Sequence, residues 1–287
     1  MSAVPEVQQV TVISVTYNSQ HCIAQLQSGL RDCPHLIFVD NASQDDTTPT
    51  IEQLLPQATI LRNAVNKGFG AANNRALAQV ATPYALLLNP DCEVSASAIT
   101  QLVQAAQQWP QAAMLAPQLV DGEGRAQVNY RWSRSAWKSS GPGAVAPCCV
   151  GFVTGAIMLL NMAVMREVGF FDEDFFLYYE DDDLCERVMA ARKQIVIVPN
   201  IQALHRSRGS VKSASWRPEY LRGFHHAQSK VIFAAKHQGL AQARRLRWRV
   251  LILAVLSFPL RCLVPNPKYL ARLSGRIVGL VQQRWPS

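Results

Sequence analysis

The chain has 287 residues, 49% of them apolar, which is enough for a sizeable core and excludes an intrinsically disordered chain. Its formal net charge of +8 is unevenly placed: residues 221–287 hold twelve Lys and Arg and no acid, whereas residues 1–220 hold sixteen Lys and Arg against twenty acids. The seven cysteines are odd in number and follow neither a disulfide framework nor zinc-ligand spacing, and the N-terminus carries no secretory pattern, so a cytoplasmic chain with reduced thiols is expected.

Residues 7–19, VQQVTVISVTYNS, are a β-branched run closed by a polar turn, and read as a buried strand. A helix near 20–31 leads to a second strand in HLIFVDNAS (35–43). A helix at 47–55, a strand at 58–63, a helix at 70–80, a strand in YALLLNPDC (84–92), a helix at 95–108 and a strand at 112–119 follow. This alternation predicts an α/β fold with a Rossmann-like, mostly parallel central sheet covered on both faces. Ligands in such sheets sit at the carboxyl ends of the strands, which here carry Tyr17-Asn18, Asp40-Asn41, Asn63 and Asn89-Pro90-Asp91.

From 121 to 149 the pattern fades among Gly122, Gly124, Gly141, Pro142, Gly143 and Pro147, with Arg125, Arg131, Arg134 and Lys138 interspersed, and a long loop is expected. VGFVTGAIMLLN (150–161) reads as a strand and 163–168 as a helix. FLYYEDDDLCER (176–187) then opens a helix running to about 193, followed by the strand IVIVPN (195–200) and by His205 just beyond it.

Four features carry possible chemistry. Asp91 presents a hard oxygen at a rigid strand end, suited to Mg2+ or Mn2+, although Asn-Pro-Asp is also ordinary turn chemistry. Asp40 can accept hydrogen bonds from a ribose or a base, or simply form an Asx turn. Gly68 and Gly70 allow close backbone approach before a helix, yet neither a phosphate loop nor a dinucleotide fingerprint is present. His205, near Arg206, Arg208 and Lys212, lies in a basic cluster suited to a diphosphate or a metal.

The acid run needs its own account. Leu184, Val188 and Ala191 recur at helical spacing, so a helix is expected to begin at Asp182 or Asp183. Its dipole favours acids in the first turn by roughly 0.3–1 kcal/mol each. That leaves Glu180 and Asp181 ahead of the helix and directly behind aromatic residues, where crowding raises proton affinity as a general base requires.

In the tail, the basic ARRLRWR (243–249) is followed by the apolar VLILAVLSFPL (250–260). Eleven residues are too few to span a bilayer, which takes about 20. An interfacial helix anchored by Trp248 and Phe258 on an anionic membrane fits, with a buried core helix as the other reading; the apolar run fits lipid better than nucleic acid.

VISVTYNS, FVDNASQDDT, NKGFGAANN, LLLNPDCEV, FVTGAIMLL, GFFDEDFFLYYEDDDLCER and the downstream His occur in the order found in family 2 glycosyltransferases of the GT-A fold, which the chain resembles over about residues 8–212. The look is nearest to bacterial rhamnosyltransferases that extend lipid-linked glycans, such as those of O-antigen or lipopolysaccharide biosynthesis. The resemblance implies a GT-A domain over 1–220, and the charge and apolar pattern of the tail adds the expectation of a basic helical, membrane-associating extension over 221–287. It implies that Thr16, Tyr17, Asn18 and Asp40 hold the nucleoside, and that Asn66, Gly68, Asn73 and Asn89 line the nucleotide-sugar site. Asp91 would hold a Mg2+ or Mn2+ ion, although Asn89 replaces the first acid of the family's D-x-D; His205 would contact the metal or the diphosphate. Thr154 and Gly155 would shape the sugar and acceptor pocket, and Asp181, beside Glu180, would be the base of an inverting transfer from a dTDP- or UDP-sugar, dTDP-rhamnose first. The location implied is peripheral, at the inner face of the bacterial cell membrane.

Two other readings are a non-catalytic, membrane-tethered nucleotide- or glycan-binding module and a sugar-nucleotide pyrophosphorylase. The latter needs a Gly-rich loop after the first strand, and TYNSQHC has no glycine.

Overall fold

The structure, a computed structural model, describes residues 5–133, 139, 142–206, 215–263 and 266–286. Arg134, Lys138, Gly141, Arg208 and Lys212 lie outside the described residues. Two compact units emerge, the first covering the described parts of 5–67, 71–171 and 184–206, the second those of 68–70, 172–183 and 215–286.

The first unit is built on one sheet. Its strands β1 (Val10–Thr16), β2 (Leu36–Asp40), β3 (Thr59–Arg62) and β4 (Tyr84–Leu88) alternate with helices α1 (Gln20–Leu30), α2 (Thr47–Leu54) and α3 (Phe69–Leu77). Then come β5 (Cys92–Glu93), α4 (Ala96–Gln108), β6 (Ala112–Val120) and the short β7 (Ala126–Gln127), β8 (Tyr130–Arg131), β9 (Cys148–Cys149) and β10 (Phe152–Val153). β11 (Ile157–Asn161), α5 (Met162–Val168), α6 (Glu180–Ala190) and β12 (Gln194–His205) complete the set. The strand order is β3-β2-β1-β4-β11-β6-β12-β5, with β7 on β6 and β9 on β12; β8 and β10 form a separate pair.

β1, β2, β3 and β4 pair in parallel, as do β6 and β12, whereas β11 runs antiparallel to both β4 and β6. The carboxyl ends of β1, β2, β4 and β12 and the start of β11 therefore share one edge. The sheet is held by residues apolar on both faces: Ile13, Leu86, Leu87, Leu115, Leu159 and Val196 are all essentially inaccessible, and each such side chain contributes about 1.5–3 kcal/mol. α4 begins where the Ser95 hydroxyl accepts from the Ala98 N–H at 3.1 Å, a serine cap.

Several sequence expectations shift. The strand expected over 84–92 stops at Leu88, because Pro90 has no N–H to give a ladder; it resumes as β5. The strand expected over 150–161 is broken by a turn at 154–156 into β10 and β11. β12 extends past 200 to His205, passing Pro199 through a register shift between Val198 and Gln202, so His205 ends the strand rather than following it. The loop expected over 121–149 includes β7, β8 and β9.

The second unit contains α7 (Arg217–Gln238), α8 (Leu240–Cys262) and α9 (Pro267–Val281). α7 and α9 cross backbone against backbone: a Cβ on Gly223 would lie 2.0 Å from the Arg272 carbonyl oxygen, and one on Gly275 2.0 Å from that of Tyr220. No helix among the described residues is long and apolar enough to cross a membrane.

Candidate functional site

Three groups of side chains are built where chemistry was expected, two in the first unit and one in the second. The first lies at the ends of β1 and β2. Thr16 and Asp40, paired in register, are both buried, and Tyr17 is exposed. Asn18 and Ala42 take positive φ (52° and 69°), which turns the chain sharply at both strand ends. The Asn18 N–H donates to the Ser43 hydroxyl at 2.9 Å, and its side-chain oxygen accepts from the Gln44 N–H at 2.8 Å. Asp40 accepts from the Ser43 N–H at 3.3 Å, the Asx turn that the sequence also allowed.

Asn41, buried beside Asp40, is the hub of this group. Its amide donates to Asn66 at 2.9 Å, and its oxygen accepts from Asn63 at 2.9 Å and from the Lys67 N–H at 3.0 Å. Arg75 reaches across from α3 to the Asn63 oxygen at 2.6 Å. Asn73, also on α3, is buried. Asn66 is thus tied to the β2 end.

The second group surrounds Asp91. The Asn89 N–H donates to the Ala156 carbonyl at 2.9 Å, which ties the Asn89–Asp91 turn to the residue that follows Thr154 and Gly155 in the chain. β5 pairs with β12 through His205 and Cys92, and this brings His205 Nε2 to 3.9 Å from Asp91 Oδ1. Donor atoms of Asp91, Cys92 and His205 lie within 4.8 Å of one another. Burial pushes the Cys92 thiol well up, and its sulfur donates to the Ala156 carbonyl at 3.4 Å. Burial lowers the His205 pKa against the opposing pull of Asp91, which favours the neutral imidazole that can ligate. One buried carboxylate and one imidazole fit a hard or borderline divalent cation that takes its other ligands from phosphate and water. Arg206 is committed elsewhere, to Glu93 at 2.7 Å.

The third group is the acid turn. α6 begins at Glu180, not at Asp182 or Asp183, so all four acids stand in its first turn. The cause is local: Tyr178 and Tyr179 both adopt φ of 68°, unusual for bulky residues, and the Asp183 N–H then closes the first turn on the Tyr179 carbonyl at 2.8 Å. The helix dipole therefore reaches Glu180 and Asp181 as well. Burial separates the two. Glu180 is 6% exposed, its Oε2 has no hydrogen-bond partner among the described residues, and desolvation, reinforced by the charges of Asp181 and Asp182, pushes its pKa well above the usual carboxylate range. Asp181 is half-buried.

α7 braces this turn within the second unit. Lys236 bonds Asp172 at 2.5 Å and Asp174 at 2.7 Å, and His237 meets Asp183 at 2.8 Å. Arg222 donates to the Tyr178 hydroxyl at 3.1 Å, Ser229 donates to the Leu177 carbonyl at 2.9 Å, and His225 stacks on Phe176. Gly68, with φ of 89°, lies against the same segment, and the Phe69 N–H donates to the Phe176 carbonyl at 3.0 Å. Sequence reasoning missed Lys236, His237 and Arg222. The signal was available: acids at 172–183 and an acid-free basic stretch at 221–238 are mutually short of counter-charges.

The model of the family described as glycosyl transferase family 2 matches residues 11–169, more than half of the chain. The N-acetylglucosaminyl-diphospho-decaprenol L-rhamnosyltransferase of Mycobacterium tuberculosis is 27% identical, the match covering 83% of this chain and 87% of that protein. Among solved structures, the mannosyltransferase PcManGT from Pyrobaculum calidifontis, in complex with GDP-Man and Mn2+, superposes with a TM-score of 0.58 at 14% identity, over 98% of this chain and 89% of that one. Staphylococcus aureus TarS 1–349 in complex with UDP-GlcNAc gives 0.54 at 17% identity, over 82% of this chain and 71% of that one.

Proposed function

The chain belongs to glycosyl transferase family 2 and is a glycosyltransferase of the GT-A fold, and from that premise we propose an inverting transfer of a sugar, with rhamnose from dTDP-rhamnose as first choice, to a hydroxyl of a lipid-linked glycan. The observation that carries the mechanism is the contrast within the acid turn: a half-buried Asp181 beside a fully buried Glu180 whose proton affinity is raised. Burial disfavours the charged form of Glu180, whereas the half-buried Asp181 keeps the access that an acceptor hydroxyl needs, which supports Asp181 as the base.

In this reading Asp181 takes the proton from the acceptor hydroxyl as the oxygen attacks the anomeric carbon, and the nucleoside diphosphate leaves from the opposite face. The bond to the diphosphate oxygen breaks as the new glycosidic bond forms, so the anomeric configuration inverts. Asp91 and His205 would hold Mn2+ or Mg2+, which supplies neutralisation of the charge growing on the diphosphate. The Mn2+ named with the mannosyltransferase structure supports a divalent ion, and the imidazole favours Mn2+ over Mg2+. Thr16, Tyr17, Asn18 and Asp40 take the nucleoside, and Asn66, Gly68, Asn73 and Asn89 the rest of the donor. Thr154 and Gly155 take the sugar and acceptor.

The acceptor class rests on likeness to the mycobacterial protein, whose name specifies a diphospho-decaprenol carrier. A lipid carrier calls for a membrane surface, and α8 supports one. Its Trp248, Ile252, Leu253, Leu256 and Leu260 are all exposed, behind Arg244, Arg245 and Arg249. That arrangement supports an interfacial helix on anionic lipid over a core helix.

The test is transfer by the purified chain from a panel of dTDP- and UDP-sugars, with Mn2+ or Mg2+, onto polyprenyl-linked acceptors, the product's anomeric configuration being read by NMR. An inverted product from one donor supports the reading, and a retained configuration overturns the mechanism. Flotation with anionic liposomes tests α8, and an intact chain that stays unbound removes the membrane role.

A further inference from the structure

The second unit encloses a cavity of about 100 Å³ among α7, α8 and α9, well above the roughly 10–15 Å³ that a single water needs. Its wall is divided by chemistry. Val231, Val250 and Leu280 form an apolar part, and Lys230 and Arg276 bring positive charge, with His226 beside Lys230 one turn back on α7.

These charges are not compensated. Other partly buried cations of the unit have partners: Lys236 has Asp172 and Asp174, Arg222 and Arg272 have Glu219, and Arg247 has the carbonyls of Leu280 and Val281. Lys230, Arg276 and the nearby Arg249 form no ion pair among the described residues, and residues 221–287 contain no acid that could supply one. Lys230 feels the mismatch, since burial, then Arg276 and Arg249, hold its pKa below the ordinary value. Like charges gathered at a half-buried point cost free energy unless an anion joins them.

α8 adds apolar surface beyond its cavity-lining Val250. Val250 belongs to α8, and the following turns of that helix expose Ile252, Leu253, Leu256 and Leu260. A ligand with a compact anionic head and a long hydrocarbon tail matches both parts, whereas an acidic peptide or a nucleic acid leaves the apolar stripe unmatched.

We propose that the cavity bounded by Lys230, Arg276 and His226 is a binding site for the diphosphate of a polyprenyl-diphosphate-linked acceptor, whose hydrocarbon chain runs along the exposed face of α8. The site rests on the lipid-linked acceptor proposed above. It would distinguish a diphosphate carrier from a phosphate-free glycoside of the same sugar.

The test uses the full chain, its double variant Lys230→Gln/Arg276→Gln and the charge-conserving Lys230→Arg. Isothermal calorimetry with a short-chain prenyl diphosphate, without sugar, reads the site independently of any transfer. The expected result is binding by the parent chain and by Lys230→Arg, weakened at least tenfold in the double variant. In turnover, the preference in kcat/KM for a diphosphate-linked acceptor over an alkyl glycoside of the same sugar should fall at least tenfold. A parent chain that does not bind prenyl diphosphate, or a double variant that binds it equally well, overturns the proposal even if transfer itself is observed. Prenyl-diphosphate binding without transfer to any acceptor leaves the site standing and removes the transferase reading on which its purpose rests. Finally, if the double variant loses only its binding to phosphatidylglycerol vesicles, the cavity serves bulk headgroups and the assignment to the acceptor fails.

Discussion

His237 on α7 and Asp183 in the first turn of α6 meet at 2.8 Å, and Asp183 is all but inaccessible. Removing the imidazole removes a hydrogen bond to a buried carboxylate, which is worth about 1.5–3 kcal/mol. His237→Ala should therefore lower the melting temperature by several degrees, at roughly 2–4 °C per kcal/mol for a chain of this size. Differential scanning fluorimetry checks it, and a melting temperature equal to the parent's would show that the pair holds nothing.

Gly68 makes a second sharp demand. A Cβ there would sit 2.2 Å from the Phe176 carbonyl oxygen and 2.9 Å from its carbon, at a φ of 89° that side chains rarely adopt. Gly68→Ala is expected to cost about 2 kcal/mol or more in stability, since both the backbone strain and the clash must be absorbed. The same calorimetric or fluorimetric melt reads it, and Gly122→Ala, where a Cβ would meet nothing within 4 Å, is the control.

Glu180 gives a pH dependence with a definite sign. Its pKa in the folded chain is raised above the unfolded value, so its contribution to stability is fully present below the unfolded pKa of about 4.3 and is lost as pH rises through the folded one. Glu180→Gln removes that loss. Relative to the parent, the variant should gain melting temperature progressively from pH 4 towards pH 8, and a difference that stays constant with pH contradicts the burial account.

Asp91 and His205 predict how metal dependence divides. Asp91→Ala removes the only carboxylate of the pair and should raise the Mn2+ concentration needed for half-maximal turnover by at least about tenfold, with His205→Ala smaller in effect for Mg2+ than for Mn2+. Metal titrations of turnover for the two variants decide it, and unchanged half-maximal concentrations would remove both residues from the metal site.

Much of this was legible in the sequence. The alternation of apolar runs and helical spacing gave the parallel sheet, and the polar strand ends Tyr17-Asn18, Asp40-Asn41 and Asn89-Pro90-Asp91 fall on one edge because parallel strands share a direction. Helical periodicity placed the start of α6 two or three residues late. It follows side chains, and the true start is set by two tyrosines at positive φ, which no periodicity records. The pairing of His205 with Cys92 joins residues more than a hundred apart through a two-residue strand, too short to leave a pattern. The bracing of 172–183 by Lys236 and His237 was legible only as a charge deficit in one segment and a surplus in another, which do not reveal which residues meet.

The central claim is that Asp181 is the base, and its most direct test is a single variant measured two ways. Asp181→Asn keeps size and shape while removing the proton acceptor. Transfer should fall by about 10²–10⁴-fold, the range general base catalysis supplies, with donor affinity, read by calorimetry, close to that of the parent. Turnover at the parent rate would contradict the account, as would donor binding lost in proportion to transfer.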